Sequence, residues 1–184
     1  DSYKKFHKID AWIICTKWDK LKKYLFFFLK QKKPVLIEKS ININSSSLNK
    51  ICKNNNNNIS NIVIAYNRNY YDYISYLVKK IKSKKLNFIE ANIHDPYDKI
   101  IKKNGNRIKH YLPYFISSHW VALILKILKL SNIKIIKIKK TIISKSIKGD
   151  LVNLDFILKQ GQGKILLKYN HLPNFPQNHS IKFY

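Results

Sequence analysis

The chain has 184 residues, 36 Lys plus Arg against 10 Asp plus Glu, and a formal net charge of +26. That length admits one domain with an extension or two small ones, and a hydrophobic content of 45% supplies a core and excludes wholesale disorder. The charge excess points to a polyanionic partner, nucleic acid first.

Arg68 and Arg107 are the arginines; every other strong base is lysine. Lysine meets phosphate as a point charge, without arginine's bidentate fork, so grip on a nucleic-acid backbone is favoured over base reading. Lys, Ile, Asn, Tyr and Phe dominate while Gly, Pro, Ala and Arg are scarce, the skew of an AT-rich coding genome such as an organelle's. Cys15 and Cys52 are too few for a disulfide framework or a zinc site. The apolar runs of residues 24–29 and 121–130 fall well short of the ~20 residues of a bilayer span. No signal peptide is evident, and the missing initiator methionine leaves room for a processed targeting segment.

In chain order, Trp18, Leu21, Leu25 and Phe28 follow helical spacing and predict a helix of about three turns that closes before Pro34. Residues 40–60, with Ser45-Ser46-Ser47 and an asparagine tract from Asn54 to Asn58, read as a loop or linker. Ile62-Val63-Ile64-Ala65 reads as a buried strand. Tyr70, Tyr73, Ile74, Leu77, Val78 and Ile81 predict a helix whose tyrosines join the core, and residues 86–89 a further strand. Asp95-Pro96 suits a helix start, carboxylate at the cap and ring at the first helical position. Val121, Ile124, Leu125 and Leu128 form an apolar stripe with Lys126 and Lys129 facing away, followed by Asn132 as a left-handed cap. Ile136 and Ile138 alternate with Lys137 and Lys139 as in a strand, and residues 164–169 suggest another.

Over about half the chain this order resembles the amino-terminal domain of small-subunit ribosomal protein eight. The resemblance is carried by Asp95-Pro96, Ile100-Ile101, the Asn104-Gly105-Asn106 segment, Leu112-Pro113, Ser118, residues 124–129 and the Leu167-Lys168-Tyr169 ending. It implies an α/β (α+β) fold: a small antiparallel sheet with helices on one face, preceded by a helical and a strand-helix-strand extension. The expected domains are 1–60, a basic aromatic extension with a polar linker, 61–93, a strand-helix-strand extension, and 94–184, the ribosomal-type domain. The family's carboxy-terminal half, with its Ser/Thr-Gly loop and principal rRNA contact, has no counterpart here.

Catalytic and metal patterns are weak. His94 beside Asp95, or His110 with His119, can be drawn as a general-base pair, yet no nucleophile motif accompanies them. Gly161-Gln162-Gly163 lacks the third glycine of a dinucleotide loop, and His171 and His179 lack zinc-ligand companions. The reading is a non-enzyme with neither cofactor nor metal: a structural rRNA-binding protein of a mitochondrial small ribosomal subunit. Its expected partners are small-subunit rRNA, neighbouring ribosomal proteins and a separate chain carrying the missing half, packed on Leu172, Phe175, Ile181, Phe183 and Tyr184 of an irregular tail. Phosphate contact is expected at Lys99, Lys102, Lys103, Asn104, Asn106, Arg107, Lys109, Ser118, Lys137, Lys139 and Lys168. A free RNA-processing factor and a membrane-surface protein, bound through residues 17–39, are the alternatives.

Overall fold

The computed structural model describes residues 9–17, 19–30, 32–39, 45–54, 60–84, 86–105, 117–146, 149–159, 161–170 and 179–184. They divide into two compact units, Asp1–Tyr66 and Asn67–Tyr184.

In the first unit, β1 (Trp12–Ile14), β2 (Val35–Ile37) and β3 (Ile62–Ile64) form a parallel sheet in the order β1-β2-β3. The helix α1 (Leu21–Leu29) joins the first pair and α2 (Ser45–Asn54) the second. Leu21, Leu25, Phe28 and Leu29 recur at i, i+4, i+7 and i+8 and bury the inner face of α1. The N–H of Lys30 closes α1 on the Phe27 carbonyl, and Lys32 then takes a left-handed conformation two residues before Pro34. These side chains pack on Ile14, Val35 and Ile37, with Trp12, Ile62 and Ile64 at the margin. Trp12 sits 4.7 Å from Phe28 between ring centroids. Ile51 of α2 joins the same cluster, so both helices cover one face of the sheet.

Two expectations for this region are corrected. The segment read as a linker contains α2, because burial of Ile51 against the sheet supplies stability that its polar composition lacks. The basic aromatic extension contains two strands buried on one face, each only three residues long, below the length at which periodicity is readable.

The second unit opens with a 3-10 turn (Asn67–Tyr70) and α3 (Tyr73–Ser83). Then come β4 (Phe88–Pro96), α4 (Tyr97–Asn104), α5 (Ser117–Leu130), β5 (Ile135–Ser146), β6 (Gly149–Leu158), β7 (Gly161–Asn170) and β8 (His179–Phe183). Five strands form one sheet in the order β5-β6-β7-β4-β8. The β4–β7 pair is parallel and the others antiparallel. The coarse α/β class holds, but the antiparallel ribosomal-type sheet is corrected: β4 runs parallel beside β7, and β6 pairs between β5 and β7.

Register accounts for the two faces. One row of paired positions reads Ile138, Phe156, Gly163, Ile89, Phe183, and another reads Ile142, Val152, Leu167, Ile93, His179. Ile89, Ala91 and Ile93 are buried on that face, which receives the Leu123, Ile124, Ile127 and Leu128 side of α5. An intervening row belongs to the opposite face and reads Lys139, Asp155, Lys164, Glu90, Lys182, alternating in charge across all five strands.

The α5 stripe is rotated from its expected setting: Leu125 is exposed and Ile127 buried. Lys126 does not face away, since its Nζ donates to the Asn69 carbonyl and lies 4.5 Å from the Tyr70 ring centroid. Pro96 ends β4, with α4 beginning at Tyr97, so Asp95-Pro96 closes a strand. The tail is corrected too. Ile181 and Phe183 belong to β8, an edge strand paired with β4, while Leu172 and Phe175 lie outside the described residues. So do Asn106, Arg107, Lys109, His110 and the strand expected at Leu112-Pro113.

Candidate functional site

Parallel sheets bind ligands beyond the carboxyl ends of their strands, where loops converge and strand ends fix them. In the first unit that edge is formed by Cys15, Thr16 and Lys17 after β1, Glu38 and Lys39 after β2, and Ala65 and Tyr66 after β3. The strand ladder extends into it: the Glu38 N–H donates to the Ile14 carbonyl at 3.0 Å and the Ala65 N–H to the Ile37 carbonyl at 2.8 Å. Glu38 and Lys39 are therefore held on the central strand, half-buried, while the Cys15 thiol is exposed and free. An acid and a base in adjacent positions on a rigid strand end can bind a polar ligand and hold a proton there.

The second unit builds a separate polar cluster. The first turn of α5 supplies Trp120, the 3-10 turn supplies Arg68, and the start of β8 supplies His179. The Arg68 guanidinium carbon stands 3.7 Å from the Trp120 ring centroid, a cation–π stack, and Trp120 lies 4.7 Å from His179 on a tilted approach. Burial pushes the His179 imidazole down to about 4, with the Arg68 charge and then His94 adding to the effect. Burial and Tyr71 hold the Tyr73 phenol above its ordinary range, with Arg68 opposing. Asn69 Oδ1, Ser118 Oγ and Trp120 Nε1 are buried without a hydrogen-bond partner among the described residues. Such atoms are expected to meet a polar ligand or water.

Of the residues expected to touch phosphate, Lys99, Lys102 and Lys103 are exposed on α4, and Lys137 and Lys139 on β5. Asn104 ends α4, Lys168 lies on β7 opposite His94 and Leu151, and Ser118 lies in the first turn of α5. Asn106, Arg107 and Lys109 lie outside the described residues. Sequence reasoning passed over Glu38-Lys39, Arg68 and Trp120. The one available signal was an acid-base pair directly after the apolar run of residues 35–37, and it depended on recognising a three-residue strand. Among the described residues no group of three or more His, Cys, Asp or Glu side chains is placed to hold a metal, and no helix is long and apolar enough to cross a membrane.

The glycine-rich turn that lets a dinucleotide's pyrophosphate approach the backbone can also be sought in this fold. The four glycines of the chain are Gly105, Gly149, Gly161 and Gly163, all in the second unit. The link after β1 reads Cys15-Thr16-Lys17-Trp18-Asp19-Lys20, and α1 begins without a side-chain cap bond. These residues do not fit a pyrophosphate cradle.

No family model and no curated protein matches the chain. Solved structures do. A myo-inositol dehydrogenase from Corynebacterium glutamicum aligns over 100% of this chain and 56% of its own, at 12% identity and a TM-score of 0.73. A probable dehydrogenase from Thermotoga maritima aligns over 97% and 55%, at 13% identity and 0.69. An inositol dehydrogenase homolog from Azotobacter vinelandii, solved in complex with NAD+, aligns over 95% and 49%, at 10% identity and 0.70. The chain thus spans about half the length of these structures. At such identities the likeness is one of fold, shared with these dehydrogenase structures. It overturns the ribosomal resemblance, and with it the non-enzyme reading and the rRNA and ribosomal-protein partners.

Proposed function

We propose that this chain corresponds to about half of a dehydrogenase-type oxidoreductase acting on a polyhydroxylated substrate. The observation that carries the reading is the fold likeness to dehydrogenases across both units, from the parallel sheet to the mixed five-stranded one. The site geometry supports it: Glu38 and Lys39 stand on a central strand end, where this class of sheet receives its ligands. In the second unit, unpartnered polar atoms beside Arg68 and Trp120 suit the hydroxyls of a sugar or polyol. Oxidation of a secondary alcohol passes a hydride to an acceptor, here of the nicotinamide class, and sheds the hydroxyl proton, which the unprotonated amine of Lys39 is assigned to take.

The test uses the protein purified from its own cells, supplied with NAD+ and either inositol or a nucleotide-linked amino sugar, following reduced nicotinamide by absorbance. Turnover is expected, and Lys39→Met is expected to lower kcat by about 10²–10⁴ with little change in KM. Absence of turnover with every polyol and sugar of the panel refutes the reading, and an unchanged kcat removes Lys39 from it.

A further inference from the structure

The five-stranded sheet has two edges with no further strand beside them among the described residues, β5 and β8. Strand β8 has five residues and β5 twelve, and a long open strand is a template for another chain's backbone unless something blunts it. Lysines are a common guard, and Lys137, Lys139 and Lys140 of β5 are all exposed. A guard alone would leave the rest of the edge polar, yet Ile136 is 63% and Ile138 53% exposed. Ile138 shares a row with the buried Phe156 on the α5 side of the sheet, and Ile136 sits at the register shift between Ile135 and Lys137. Ile135, at the start of β5, also lines a groove of about 300 Å³ against the end of α5, with Leu125, Leu128, Ile133 and the exposed Lys129 and Lys134. The apolar side of the edge thus runs from Ile135 to Ile138 and ends at Lys140, which pairs with Leu154. On the other side Lys137 pairs with Ile157 and Lys139 with Asp155.

Successive side chains of a strand point to opposite faces, so the complement of this edge is a strand in which apolar and acidic residues alternate. A second copy of β5 fails that description. Paired antiparallel through the same edge it sets its lysine row beside this one, and paired parallel it sets lysines beside Ile138. In a chain of net charge +26, charge complementarity selects an acidic occupant. We propose that the outer edge of β5 receives an extended acidic segment of another protein, added as a further strand, with its acids on the Lys137–Lys139 side and its apolar residues toward Ile138 and the groove. Backbone hydrogen bonds along β5 supply the affinity, and the two unlike faces supply the choice of partner. Nothing in this surface involves Glu38, Lys39 or the Arg68 cluster, so it stands or falls apart from the oxidoreductase reading.

The test titrates the full chain with a fluorescent peptide alternating valine and glutamate, followed by anisotropy. A valine–lysine peptide and a valine–glutamate peptide with its backbone N–H groups methylated are the comparisons; methylation removes the donors and leaves the charges. Binding of the unmethylated glutamate peptide alone is expected, with slower amide exchange across residues 135–141. Ile138→Lys, and Lys137→Glu with Lys139→Glu, are each expected to weaken it by about tenfold or more, while Lys82→Glu on α3 changes it by less than about twofold. The double variant is also expected to gain the valine–lysine peptide, which shows that it has folded. No binding, equal binding of the methylated peptide or of the lysine peptide, or protection at β8 in place of β5 overturns the proposal. So does protection of the β5 amides in the chain without peptide, since the edge is then filled by this chain or by a second copy of it.

Discussion

A methyl group added at Gly161 would lie 2.3 Å from the backbone carbonyl oxygen of Asn87, in a position that no side-chain movement relieves. This is where β7 starts beside β4, so the glycine is required by close backbone approach. Gly161→Ala is expected to destabilise by about 2–4 kcal/mol, measured as a lower urea midpoint, because the strands must separate to admit it. At Asn132 (φ 60°) the end of α5 closes in the expected left-handed cap: the Ile133 N–H donates to the Leu128 carbonyl at 2.9 Å and the Asn132 N–H to the Lys129 carbonyl at 3.1 Å. His179 sets a pH dependence. Its ordinary value of 6.5 applies to the unfolded chain, while burial, Arg68 and His94 hold the folded value at about 4. Above pH 6.5 both states are neutral and the stability is fully present; as pH falls toward 4 only the unfolded chain gains the proton, and stability is lost. The loss through this window is about 1–2 kcal/mol after allowance for solvent screening of a half-buried ring. His179→Gln is expected to remove that part of the pH slope, and equal slopes in chemical unfolding of the two proteins would refute the assignment.

At the scale of elements, the charged row across the second sheet is the more informative face. Glu90 lies opposite Lys164 on one side and Lys182 on the other, and Asp155 lies opposite Lys139 and Lys164. In a chain of net charge +26 each of these acids faces a described lysine across the ladder, Glu90 at Lys182 and Asp155 at Lys139. Glu90→Lys is expected to cost about 0.5–1 kcal/mol at low salt, with the loss shrinking in 1 M salt, since the cross-strand pair with Lys182 becomes repulsive and is screened. A loss independent of salt would show that Glu90 acts through packing. Elements were legible where periodicity had room to repeat: α1, α3, α5 and β5 follow from their apolar spacing, and the strand expected as buried over Ile62-Val63-Ile64-Ala65 is a strand over Ile62–Ile64 with Val63 exposed. The misses have physical causes. Strands β1 and β2 are too short to alternate visibly, and α2 is held by tertiary burial of Ile51 more than by propensity. Strand β8 follows two prolines, Pro173 and Pro176, that made the tail read as irregular. The tyrosines before and within α3 keep the helical register but stay exposed, with Tyr71 and Tyr73 stacked 5.6 Å apart and Lys80 near Tyr76.

For the whole molecule, composition steered the functional reading astray. A lysine excess was weighed as the footprint of a polyanion, yet the same skew that enriches Asn and Ile also enriches Lys, and the exposed sides of α1 and α3 carry it without converging on a site. The two candidate sites were barely legible: Glu38-Lys39 acquires meaning only from a strand end in the first unit, and Arg68 with Trp120 and His179 only from a turn, a helix start and a strand start far apart in the sequence of the second. Protection within each unit should follow the same architecture. Strand β4 is paired on both sides by β7 and β8 and buries Ile89, Ala91 and Ile93, so its amides are expected to exchange only in the deepest opening of the second unit. The first unit rests on three strands of three residues each, with Ile13, Leu36 and Val63 open to solvent, so the amides of β1 to β3 are expected to open far more readily in the isolated chain. Hydrogen exchange read by mass spectrometry separates these segments. If β1–β3 prove as protected as β4 in the chain alone, neither their three-residue length nor the exposure of Ile13, Leu36 and Val63 limits the stability of this unit.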